Sequence, residues 1–160
     1  MKAWFRRLLA LWTTAFPGIQ RLTLVLVIER CYGPQLLGEF SNDLGIAGLL
    51  GYFTAVGLCG LTLVQLPRAS GAEARGVLGR HALLQLALLL LAVPVVWALA
   101  RAGDTVVSGS GLLYFLTGWS LWQLVRHALI AKARHGLLCM IDAVLFLIAL
   151  TLLFARWPAT

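Results

Sequence analysis

The sequence predicts an all-α, polytopic membrane protein with about five transmembrane helices, and three observations predict it. First, 61% of the 160 residues are hydrophobic and only 12% are charged, against about 25% charged in soluble domains. The mean hydropathy is +0.90, and a soluble core of this size cannot hide so much apolar surface. Second, the apolar residues fall in runs long enough to cross a bilayer, which takes about 20 residues per helix. Third, the cations that make the net charge +7 stand at the edges of those runs. Membrane topology explains them better than nucleic acid does, because no basic stripe stands on a polar surface.

The elements follow in order. The first run, 8–30, is the most polar of the five. The second, 44–66, carries no charge. The third, 81–100, is nearly pure Leu, Ala and Val, with Pro94 as an expected kink. The fourth covers 111–131 and the fifth 137–155. All are read as helices of a single bundle, since an open strand or loop leaves its backbone unsatisfied in lipid. Between the first two runs, Gly33 and Pro34 permit a tight exit, Gly38 a sharp re-entry, and Ser41, Asn42 or Asp43 a cap for the next helix. That break reads as an outer turn.

With the N-terminus in the cytoplasm, Lys2, Arg6, Arg7, Arg68, Arg75, Arg80, Arg126, Lys132 and Arg134 lie inside. Arg30, Arg101 and Arg156 lie outside. This positive-inside bias places the C-terminus outside. Trp4, Trp97 and Trp157 read as interface anchors, whereas Trp119 and Trp122 lie deeper and either pack or line a cavity. The basic start reads as retained, because Thr13, Thr14 and Pro17 interrupt the apolar part of any signal peptide.

Two sets of residues are candidates for function. Arg21 lies near the middle of the first run, where a cation is costly unless it faces protein or water. Thr13, Thr14, Gln20 and Thr23 around it suggest a wet interior. Arg21, Gln20 and Thr23 are the expected binding set for an anionic ligand; the competing reading pairs Arg21 with Glu29 or lets it snorkel. Arg126 and Asp142 each stand eight positions from Arg134, so a tight hairpin brings them to one depth. They read as a salt bridge fixing that hairpin or, more sharply, as an ion-coupling pair through Asp142. The small stripe Ala47, Gly51, Ala55, Cys59 allows a close helix approach, within the chain or in a dimer. His127, Lys132, Arg134 and His135 make a basic turn suited to lipid headgroups.

Other chemistry is missing from the sequence. Cys31, Cys59 and Cys139 form no C-x-x-C and share no ligand spacing with His81, His127 or His135. There is no phosphate-binding glycine loop, no G-x-S-x-G and no paired acidic motif. No metal, no cofactor and no enzymatic activity are expected.

The stretch YGPQLLGEFSNDLGIAGLLGYFTAVGLCGLTLVQLPR contains Gly33, Pro34, Gly38, Phe40, Ser41, Gly57, Leu58 and Arg68. In that order these residues resemble the first helical hairpin of the polysaccharide (O-antigen and exopolysaccharide) flippases of the multidrug/oligosaccharidyl-lipid/polysaccharide exporter superfamily. The later LWQLVRHALIAKARHGLLCMIDAVLFLIAL is similar to that family's fourth and fifth helices with their basic turn. The resemblance implies transport of a lipid-linked oligosaccharide across a bacterial inner membrane, with an ion gradient driving the cycle; on that reading Arg21, singled out by its own position, would offer charge to the anionic pyrophosphate. Family members have about twelve to fourteen helices in two bundles, so five helices imply a second membrane chain or a homo-oligomer. The alternative is a non-transporting scaffold or regulatory subunit of a glycan-assembly complex. A third reading is a small multidrug or lipid carrier acting as an oligomer.

Overall fold

The structure, a computed structural model, describes residues 2–102 and 109–155, without the side chains of residues 2, 3, 6, 109 and 110. Arg156, Trp157 and the side chains of Lys2 and Arg6 therefore lie outside the described residues. The chain is an all-α polytopic membrane protein. Its helices are α1 (Lys2–Tyr32), α2 (Pro34–Gly51), a π-helical turn (Tyr52–Val56), α3 (Gly57–Gln65), α4 (Gly71–Ala102), α5 (Gly109–Ala131) and α6 (His135–Ala155). Since α2, the π-turn and α3 run on without a break, they form one rod, and the rods number five among the described residues. Four are long and apolar enough to span a membrane: Arg7–Tyr32, Pro34–Gln65, Gly71–Ala102 and His135–Ala155. α5 falls short in hydropathy because Gly118, Ser120, Gln123, Arg126 and His127 dilute it.

Several expected boundaries move. The second rod begins at Pro34, ten residues before Leu44, so the break narrows to Gly33 alone. Gly33 takes φ +88°, its carbonyl accepts the Leu37 N–H at 3.3 Å, and Pro34 opens α2 where a missing N–H costs nothing. Gly38, Ser41, Asn42 and Asp43 lie inside α2 and cap nothing. In the same way α4 starts at Gly71 and carries Arg75 and Arg80 on its first turns. Pro17 and Pro94 sit within continuous helices.

The chain groups into two compact units, Met1–Gly38 with Arg134–Thr160, and Glu39–Ala133. In the first, α1 packs on α6. Gln20 Nε2 donates to the Asp142 carbonyl at 2.9 Å, and the Tyr32 hydroxyl donates to the Leu153 carbonyl. The two contacts advance together, twelve positions along α1 and eleven along α6, so these helices run parallel. Two helices that cross a bilayer in the same direction need an odd number of crossings between them. Three rods lie between, so α5 completes the count despite its weaker hydropathy.

In the second unit α4 packs against both α3 and α5. Its core joins Ala47, Leu89, Ala92, Val96, Leu112 and Leu116. The stripe Ala47, Gly51, Ala55, Cys59 is buried throughout. A spacing of four drifts by about 40° per step in a helix of 3.6 residues per turn. The wider π-turn takes up part of that drift. Trp119 lies directly on Gly51, where an added Cβ would come within 2.1 Å of the indole ring.

Candidate functional site

On α1, Arg21 projects from the middle of an apolar span. It lies fourteen positions from Arg7 and eleven from Tyr32, or about 21 and 16 Å along the axis. The side chain is exposed, and no hydrogen bond or ion pair holds it among the described residues. Glu29 is exposed as well, and among the described residues no ion pair joins the two. Ile19, Leu22 and Leu26 around it are exposed apolar side chains.

The other members of the expected binding set have local duties. Gln20 uses its amide to hold α6. Thr23 Oγ1 donates to the Ile19 carbonyl at 2.9 Å, and Thr13 and Thr14 donate to the Ala10 carbonyl at 2.8 and 3.0 Å. Such back-bonding satisfies a hydroxyl on its own helix. Of Arg21, Gln20 and Thr23, Arg21 alone makes no hydrogen bond among the described residues. Arg126 is half-buried on α5 in the Glu39–Ala133 unit. Asp142 is buried on α6 in the other, where its backbone carbonyl receives Gln20. Their expected pairing rests on hairpin spacing.

A second polar locus lies inside the Glu39–Ala133 unit, and the sequence reading missed it. Thr54, Thr62, His81, Gln85 and Ser120 are all buried. The Thr62 hydroxyl donates to the Leu58 carbonyl at 2.8 Å and lies 2.8 Å from His81 Nδ1. A hydroxyl has one proton, so Nδ1 carries its own hydrogen and donates to Thr62 Oγ1. Thr54 Oγ1 and Ser120 Oγ are 3.1 Å apart, and Gln85 Nε2 donates to the Ser120 carbonyl. The available signal was the four-residue spacing of Val77, His81, Gln85 and Leu89 on α4, one helical face.

At the end of this unit Lys132 Nζ donates to the Ala69 carbonyl at 2.7 Å. This bond ties the end of α5 to the turn before α4 and puts Arg68 and Lys132 at one end of the unit. Among the described residues no three His, Cys, Asp or Glu side chains gather as a metal site requires.

No family model, curated protein or solved structure matches the chain.

Proposed function

We propose that this chain is a membrane-transport component of the lipid-linked oligosaccharide or polysaccharide flippase type, acting with a second copy or a second membrane chain in a bacterial inner membrane. One observation carries the reading: Arg21 is exposed and unbonded at mid-span. A guanidinium there is costly against lipid tails. It is accommodated by an anionic group or an aqueous lumen, and Glu29, the one acid of its own helix, does not pair with it. Guanidinium binds phosphate through paired, charge-assisted hydrogen bonds, which suits the pyrophosphate of a lipid-linked glycan. A transporter cavity lies between two repeats, and five rods supply one set; a partner furnishes the rest.

A second reading is supported by the same helix. Gln20 and Thr23 are committed to internal hydrogen bonds, so a scaffold or regulatory subunit would need only Arg21, as one ionic contact to its partner. Measuring glycan export with Arg21→Ala, Arg21→Gln and Arg21→Lys decides between them. Transport predicts loss with Ala and Gln and partial retention with Lys, while the assembly still co-purifies. Loss of co-purification in step with export favours the scaffold. Unchanged export in all three variants defeats the transport reading.

A further inference from the structure

Apart from Asp43, which is buried beside Leu112, the buried polar side chains described in the Glu39–Ala133 unit are Thr54, Thr62, His81, Gln85 and Ser120. Along α4 the buried face reads Val77, His81, Gln85, Leu89, Ala92, Val96, and nothing polar follows Gln85. On α5 it reads Leu112, Leu116, Ser120, Leu124, so Ser120 meets Gln85 at the same level. Thr54 reaches that level from the π-turn. Three rods thus converge on one polar point. It lies fourteen positions into α4 from Gly71, or about 21 Å from the basic end.

At this point the hydrogen bonds do not close. Gln85 is fully buried. Its amide nitrogen is used, but its Oε1 accepts no hydrogen bond among the described residues. A membrane interior supplies no solvent to such an atom, so the demand is met inside the protein. The Thr54–Ser120 pair has two hydroxyl protons and spends one between its own oxygens. Gln85 Oε1 thus lacks a donor, and the hydroxyl pair that shares Ser120 with it keeps one proton unspent.

We infer that Gln85 Oε1, Thr54 Oγ1 and Ser120 Oγ form a binding site for one internal water molecule at the junction of the π-turn, α4 and α5. Water both donates and accepts, and buried waters hold two to four such partners. It donates to Gln85 Oε1 and to one hydroxyl oxygen, and accepts the spare hydroxyl proton. A bare cation fits worse. The site offers three neutral oxygens, and the Gln85 amide and the hydroxyl protons present positive charge. π-turns recur at functional sites, and here the turn is what brings Thr54 to Ser120. The inference concerns this unit alone and stands apart from Arg21 and its transport reading.

Water-edited solid-state NMR on the wild-type chain in bilayers tests it. Leu84–Gln85 is the one Leu-Gln step in the sequence, so carbonyl-¹³C leucine with uniformly ¹³C,¹⁵N-labelled glutamine selects the Gln85 backbone nitrogen and leads through its own carbons to its side-chain amide. Polarisation from water protons is expected to reach the Gln85 side-chain amide about as fast as that of exposed Gln65, and several-fold faster than the Leu89 and Leu116 methyls. A Gln85 amide that lags with those leucines overturns the site. As a second arm, Gln85→Leu is expected to slow water transfer to Ser120 and Thr54; unchanged transfer there removes Gln85 from the site.

Discussion

Arg21, Gln20 and Thr23 are close in sequence and have different physical fates. Gln20 is a strut between α1 and α6. Gln20→Leu removes one amide–carbonyl bond, a loss of about 1 kcal/mol; thermal unfolding in detergent should show that cost, with export per folded molecule unchanged. Thr62 is the more sensitive position. Thr62→Val keeps the shape but takes away the oxygen that His81 Nδ1 donates to, leaving a buried N–H without that partner. About 1–3 kcal/mol should be lost, and Thr62→Ser, which keeps the oxygen, should recover most of it in the same melt. The three threonines of α1 were attractive as lumen-lining groups because threonine is polar. Back-bonding to the preceding turn is equally open to a hydroxyl, and composition cannot tell the two apart.

Among the elements, the π-turn is the least expected. A stripe of small residues at intervals of four was legible as a packing face. In a regular α-helix a spacing of four drifts by about 40° per step, and the π-turn at Tyr52–Val56 takes up part of that drift. Trp119 fills the space that the stripe opens at Gly51. Gly51→Ala should therefore cost about 1–3 kcal/mol through overpacking, read as a lowered midpoint of denaturation. Combining it with Trp119→Leu should cost less than the two single changes added together, since the shortened side chain gives room to the new methyl. Gly33 has a different reason to be glycine. At φ +88° it is the single joint between α1 and α2, and Gly33→Ala is expected to destabilise by about 1 kcal/mol, because a Cβ strains that backbone whatever the space around it.

At the level of the whole molecule, the parallel run of α1 and α6 decides the number of crossings. Hydropathy alone selects four spans and would return the C-terminus to the side of the N-terminus. The Gln20–Asp142 and Tyr32–Leu153 contacts require a fifth. Reporter fusions check this directly. A fusion after Lys132 should report the same side as one after Arg68, in keeping with the Lys132–Ala69 bond, and a fusion after Ala155 should report the opposite side. Equal signals at Arg68 and Ala155 would mean that α5 does not cross.

The sequence by itself determined that this is a helical, multi-pass membrane protein, where its cations collect, and that Arg21 is an expensive residue in its place. Those conclusions depend on composition and on run length, which the thickness of a bilayer makes decisive. The true start of the second rod was not legible, because Pro34 reads as a helix breaker from its neighbours and as a first-turn residue only once Gly33 is seen in the left-handed region. The division into two units, the parallel pairing of α1 with α6 and the polar junction at Thr54, Gln85 and Ser120 were decided by tertiary structure alone. Each depends on residues dozens of positions apart, or more than a hundred for α1 and α6, and each is settled by which hydrogen bonds a low-dielectric interior will tolerate unmade.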